Sequence, residues 1–210
     1  MFTGIVQELL PVVKIQRKAD LLTFSIRFSD ALMDGLVTGA SVAIDGVCLT
    51  VTSIQDSVVS FDAVPETTNL TTLGTMQLDR LVNIERSAKQ GVEVGGHILS
   101  GHVFDVAEIV AIERTPNNAE MTFQGAEGWM KYVFLKGFLA LNGASLTVSR
   151  VDKENLQFCV SLIPETLQRT NFGLLAQADR VNVEIDHQTR VIVDTVANIL
   201  EERLAGQLDS

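Results

Sequence analysis

The chain is poor in cysteine, proline and aromatics. Among 210 residues there are two Cys, four Pro, one Trp, one Tyr and ten Phe. Two thiols as distant as Cys48 and Cys159 exclude a disulfide scaffold and a four-thiolate zinc site, and the cytoplasm is the compartment that fits best. Basic residues are also few. Sixteen Lys and Arg against 26 Asp and Glu leave a net charge of -10, which argues against nucleic acid and against a polybasic membrane anchor. No uncharged run approaches the roughly 18 residues of a membrane span, and Met1 to Glu8 has no basic stretch leading into an apolar one, so neither insertion nor export is expected. What is present is 46% apolar residues and 15 Gly, enough to bury one or two cores. The expected partner is a small molecule, another protein, or both.

The chain also matches itself. Gly46-Val47-Cys48-Leu49-Thr50-Val51 returns as Gly143-Ala144-Ser145-Leu146-Thr147-Val148, an offset of 143 − 46 = 97. Pro65-Glu66-Thr67 returns as Pro164-Glu165-Thr166, and Val82-Asn83-Ile84-Glu85 as Val181-Asn182-Val183-Glu184, both at 99. The shift is expected where Gln55-Asp56-Ser57 faces the longer Asp152-Lys153-Glu154-Asn155, because turns tolerate extra residues. A period this long indicates duplication of a domain of about 90 residues rather than a solenoid. Asp45-Gly46 and Asn142-Gly143, each between β-branched runs, predict hairpins. Ser29 to Leu36 and the segments opening at Pro65 and Pro164 predict short helices. The pattern is all-β, a small antiparallel barrel per half, with boundaries 1–97, 98–190 and 191–210. The last segment carries Ile192, Val196, Ile199, Leu200 and Leu204 at helical spacing. Such a helix either folds back on its own barrel or makes an oligomer contact; the second is favoured, since two complete barrels already cover their cores.

Few residues stand out chemically. His97 and His102 are five apart, which on a strand places them on opposite faces, so one metal ion cannot easily take both; no metal and no nucleotide-binding glycine loop is expected. His102 reads equally as a packed core residue. An apolar strand more often holds Cys48, or Cys159, as an inert buried thiol. Aligning the halves pairs Ser41 with Phe138, Cys48 with Ser145, Ile5 with His102 and Ser87 with Asp186. The halves agree in turns and threonines and differ in groups that move protons or attack carbon, as two copies of one ligand in different roles would require.

Taken together, Met-Phe-Thr-Gly-Ile-Val-Gln, Ser-Val-Ala-Ile-Asp-Gly-Val-Cys-Leu-Thr-Val, Gly-Gly-His-Ile-Leu-Ser-Gly-His-Val, Leu-Ile-Pro-Glu-Thr-Leu and Asn-Val-Glu-Ile-Asp resemble the riboflavin synthase (alpha chain) family of lumazine-binding repeats, over essentially the whole chain. The resemblance implies two tandem six-stranded Greek-key barrels plus a C-terminal helix. It implies a homotrimer with sites between the N-barrel of one subunit and the C-barrel of another, and in some organisms association with lumazine synthase. The implied reaction is the dismutation of two 6,7-dimethyl-8-ribityllumazine molecules to riboflavin and 5-amino-6-ribitylaminouracil, without cofactor. Carried over by motif, Ser41, Cys48 and His102 become catalytic candidates of the N-barrel site, and Ser145, Thr147 and Asp186 those of the C-barrel site. Implied substrate contacts are Gly4, Ile5, Val6, Leu49, Thr50, Asp62, Ala63, Val64, Pro65, Glu66, Thr67, Gly101, Val103, Lys136, Leu146, Leu162, Ile163, Pro164, Glu165, Thr166 and Leu167. Which barrel holds donor and which acceptor stays open. The competing reading is a non-catalytic lumazine- or flavin-binding protein of the same fold; those relatives lack the Cys and His found here at 48 and 102. Two departures from the family pattern, at Thr68 to Gly74 and at Leu78-Asp79-Arg80, where a Gly-Asp turn is usual, concern loop shape.

Overall fold

The computed structural model describes residues 1–91 and 93–208. Its first half contains β1 (Glu8–Lys18), β2 (Leu21–Arg27), α1 (Asp30–Met33), β3 (Ser41–Ile44), β4 (Val47–Gln55), β5 (Val58–Ala63), α2 (Pro65–Leu70) and β6 (Leu81–Arg86). The second contains β7 (Asp105–Thr115), β8 (Asn118–Gln124), α3 (Glu127–Met130), β9 (Phe138–Leu141), β10 (Ala144–Asp152), β11 (Gln157–Leu162), α4 (Pro164–Arg169) and β12 (Arg180–Ile185), followed by α5 (His187–Leu208). Each half closes into a six-stranded antiparallel barrel, in the orders β1-β2-β5-β4-β3-β6 and β10-β11-β8-β7-β12-β9.

Local chemistry explains the elements. Alternation in β5 sends Val59, Phe61 and Ala63 inward and leaves Val58, Ser60 and Asp62 outside. Asp45 and Gly46 take φ of 46° and 80°, and Asn142 and Gly143 take 43° and 79°, the doubly left-handed pair of a type I′ hairpin. β1 and β7 are each interrupted by one register shift, between Val12 and Lys14 and between Ile109 and Ala111; β4 and β10 shift in the same way, as barrel corners require. The expected insertion lies between β4 and β5, joined by Asp56-Ser57, and between β10 and β11, joined by residues 153–156. At the departing turn, Asp79 takes φ of 62° and its counterpart Ala178 takes 72°, so both turns form a left-handed residue without glycine. The cores are separate. Phe24, Phe28 and Phe61 fill the first barrel, and Trp129, Phe123 and Phe158 the second.

α5 begins at His187, ahead of the expected boundary at 191, because Asp186 caps it, accepting from the Thr189 amide at 2.8 Å and hydroxyl at 2.7 Å. The last two residues of the expected segment, 209–210, lie outside the described residues. Val193 packs on the second core and Asp194 accepts from the Tyr132 hydroxyl at 2.7 Å, while Ile192, Val196, Ile199, Leu200 and Leu204 stay exposed.

The barrels meet about a pseudo-twofold axis through a buried polar network. Asn83 Nδ2 donates to the Asn142 carbonyl at 2.9 Å, and Asn182 Nδ2 to that of Asp45 at 2.8 Å. Asp45 Oδ1 accepts from the Asn83 amide at 2.8 Å just as Asn142 Oδ1 accepts from Asn182 at 2.8 Å. The symmetry breaks at the ion pair of Arg80 with Asp45 Oδ2 at 3.2 Å and at Asn171, counterpart of Thr72, whose Nδ2 donates to Asp45 Oδ1 at 3.0 Å. Burial pushes the Asp45 carboxyl up from 3.8 to about 6, against the pull of Arg80 and the Asn83 amide. A raised folded-state value stabilises the protein fully below the unfolded value and loses that contribution as pH rises through about 6. Asp45→Asn, the residue already used at 142, should remove this dependence. Between pH 4.5 and 7.5 the wild type is expected to lose about 2 kcal/mol relative to the variant, measured by denaturant unfolding; parallel curves would contradict this.

Candidate functional site

The β3-β4 hairpin pairs Ser41 with Thr50 and Ala43 with Cys48. Val42, Ile44, Val47, Leu49 and Val51 enter the core, so Ser41, Ala43, Cys48 and Thr50 share the outer face. In the second barrel Phe138 pairs with Thr147 and Ala140 with Ser145, again outside. Hairpin register therefore brings Ser41 and Cys48 to one face, and alternation along β10 does the same for Ser145 and Thr147.

The remaining candidates arrive by crossing over. The amide of Cys48 donates to the Gly101 carbonyl at 2.8 Å, and that of Ser145 to the Gly4 carbonyl at 2.8 Å. Phe2 and Leu99 form an antiparallel bridge between these segments. Val6, just before β1, is buried in the second core, whereas Val103, just before β7, packs on the first. The segment Gly101 to Val103 thus runs against the row of the first barrel, and Gly4 to Val6 against that of the second. His102 is exposed beside the Cys48 row.

His97 joins the other site, a placement the sequence reading missed. Its Nδ1 lies 2.6 Å from Ser145 Oγ and its ring stacks on Phe138 at 5.4 Å, while Nε2 is buried without a partner among the described residues. Burial lowers the His97 pKa, partly opposed by nearby Asp186. Burial works to raise that of Asp186, but the Thr189 hydrogen bonds and His97 hold it below the usual carboxylate range. A neutral imidazole beside a hydroxyl and an ionised carboxylate can accept or relay a proton near neutral pH. The hint in the sequence was the Gly95-Gly96 pair, since a Cβ on Gly96 would lie 2.6 Å from that of Ser145. The two histidines of one short segment serve different barrels because the segment crosses from one to the other.

Other predicted contacts sit at the rims. Asp62 accepts from the Thr23 hydroxyl at 2.6 Å on the outer face. Val64, Pro65, Glu66, Ile163, Pro164 and Glu165 are exposed at the starts of α2 and α4, with Thr67, Thr166 and Leu167 half-buried. Leu49, Ala63, Leu146 and Leu162 turn their side chains into the cores and are paired within the sheets. Exposed Lys136, at φ of 64°, donates its amide to Val148. A recess of 850 Å³ lined by Thr3, Ile5, Ser87 and Lys89, among others, touches the second site through Ile5. Among the described residues no three His, Cys, Asp or Glu side chains are grouped to hold a metal ion, and no helix is long and apolar enough to cross a membrane.

Two closed barrels, each bearing an open row of polar side chains crossed by a glycine-containing segment, define a tandem-barrel protein. The lumazine binding domain matches it twice, at residues 3–87 and 100–186. The riboflavin synthase of Escherichia coli (strain K12) is 46% identical over 204 residues, 97% of this chain and 95% of that protein. The riboflavin synthase of Chlamydia pneumoniae is 46% identical over 200 residues, 95% and 97% respectively. The chain belongs to the riboflavin synthase family of lumazine-binding-domain proteins. Among solved structures, LumP complexed with riboflavin superposes with a TM-score of 0.83 at 24% identity, covering 89% of this chain and 100% of that one; the likeness is one of fold.

Proposed function

We propose that this protein catalyses the dismutation of two 6,7-dimethyl-8-ribityllumazine molecules, one giving four carbons to the other, to yield riboflavin and 5-amino-6-ribitylaminouracil. The observation that carries this is identity of 46% with riboflavin synthases across nearly the full length of both chains. The non-catalytic reading is supported only by a 24% likeness of fold.

The chemistry needs one lumazine attacked at its ring and the other deprotonated at a methyl group. The unlike rows suit that division. Cys48, Ser41 and His102 form the nucleophile and proton-transfer group of the N-barrel site, and Ser145, Thr147 and Asp186, with His97, bind and polarise the facing ring. Both rows are open, with Thr50, His102, Phe138 and Thr147 exposed, which suits a site completed by the other barrel type of a neighbouring subunit. Holding two rings face to face supplies on the order of several kcal/mol of the barrier. Acid and base groups add about 10²- to 10⁴-fold.

A cytoplasmic homotrimer follows from the same reading, which in some organisms of the family extends to association with lumazine synthase. The exposed stripe of α5 supports assembly, since each such side chain contributes about 1.5–3 kcal/mol on full burial. Deleting residues from Val191 onward is expected to shift the mass in solution from trimer to monomer; an unchanged mass by analytical ultracentrifugation would remove α5 from the assembly. The reaction itself is tested by mixing the purified protein with 6,7-dimethyl-8-ribityllumazine and following riboflavin by absorbance. Binding without turnover would favour the non-catalytic reading.

A further inference from the structure

The repeated Val-Asn-x-Glu motif puts a glutamate at the same point of β6 and β12, and the reaction described above uses neither. Glu85 and Glu184 are buried, at 4% and 7% exposure. None of the ion pairs among the described residues involves either carboxylate. A desolvated carboxylate is costly unless several donors meet it. Glu85 accepts from the Thr3 amide at 2.6 Å, the Thr3 hydroxyl at 2.7 Å and the Gly4 amide at 3.1 Å. Glu184 repeats the set with the Ser100 amide at 2.7 Å, the Ser100 hydroxyl at 2.7 Å and the Gly101 amide at 3.0 Å.

Each clamped glycine then presents its carbonyl to the other barrel, Gly4 to the Ser145 amide at 2.8 Å and Gly101 to the Cys48 amide at 2.8 Å. The wiring is therefore crossed. Within its own barrel Cys48 lies in the row Glu85, Ala43, Cys48, yet the hydrogen-bond chain connects it to Glu184 of the second barrel. The second row, Glu184, Ala140, Ser145, is wired to Glu85 in the same way.

The geometry points to Glu85 and Glu184 as reciprocal positioning residues: Glu184 sets Cys48 and His102 of the N-barrel site, and Glu85 sets Ser145 of the C-barrel site. The assignment rests on the reading of these rows as the reaction site. One chain's two half-sites are then coupled through its inter-barrel seam, because moving either segment disturbs the row of the opposite barrel.

Glu184→Gln and Glu85→Gln keep size and replace one acceptor oxygen with an NH₂ that faces donors. Alkylation of Cys48 by iodoacetamide, with buried Cys159 as internal control, reads the position of the Gly101 segment without reference to turnover. Glu184→Gln is expected to raise the Cys48 rate several-fold, Glu85→Gln to leave it at the wild-type value, and both to lower lumazine turnover by about tenfold or more. Ser100→Ala, which removes one of three donors, is expected to shift the Cys48 rate in the same direction by less, and it decides the matter if Glu184→Gln does not fold. A folded Glu184→Gln with the wild-type rate, an equal rise in Glu85→Gln, or an unchanged rate in Ser100→Ala where that variant decides, would overturn the assignment. Should the wild type not turn over lumazine, the reaction fails while the alkylation pattern still settles the wiring.

Discussion

Turnover of 6,7-dimethyl-8-ribityllumazine is expected to fall by about 10²-fold or more in Cys48→Ser and to stay near wild type in Cys159→Ser. The two thiols differ in setting, not in chemistry. Cys48 is half-buried on the outer face of β4, its amide tied to Gly101, the residue before the exposed His102. Cys159 is buried on β11 beneath Arg150, whose Nε and Nη2 lie 3.2 and 3.0 Å from its sulfur, with the Thr122 hydroxyl at 3.2 Å. A hydroxyl at 159 can accept the same donors, so little should change there. At 48 serine preserves shape while replacing the thiol with a far weaker nucleophile. Loss at 48 therefore reports chemistry rather than packing. Steady-state rates of riboflavin formation decide it, and equal effects at the two positions would show that Cys48 is merely a packed residue.

Gly101→Ala should damage stability and turnover together. Its φ of 78° disfavours any side chain, and the new Cβ would lie 2.5 Å from Cys48 Cβ and 2.9 Å from the Phe2 ring. The left-handed backbone costs about 1–2 kcal/mol and overpacking about 1–3 kcal/mol. The sum is a large part of the roughly 5–15 kcal/mol that holds a domain folded. Relief requires moving the segment or Cys48 by about 1 Å, a displacement able to cost 10²-fold in rate. Gly35→Ala is the matching control, since its φ of 63° carries the backbone cost while nothing lies within 4 Å of the added carbon. Denaturant unfolding and turnover check both effects. A Gly101→Ala no more destabilised than Gly35→Ala, with wild-type turnover, would mean that the seam yields freely.

The two hairpins, the inserted turn and the capped start of α1 at Ser29 were legible in the sequence because each depends on neighbours within a few residues, and the duplication because motifs recur at offsets of 97 and 99. So was the grouping of Ser41 with Cys48, which follows from register across a two-residue turn, and of Ser145 with Thr147, which follows from alternation along β10. His97 was not. Nothing local says whether the Gly95 to Val103 segment rests on the barrel before it or the one after it, and it does both: His97 on the second, Val103 on the first. The Val-Asn-x-Glu repeat showed that both halves keep a glutamate, but not that each holds a turn pressed against the other half.

Alternation, turn chemistry and self-similarity determined by themselves that the chain makes two like barrels with unlike polar rows and a trailing helix. Tertiary structure alone decided which segment serves which row. A repeat specifies two equivalent surfaces. Choosing between them depends on long-range fit, here two glycines that admit a backbone against Ser145 and Cys48 and two buried carboxylates that need every donor the crossing segments supply.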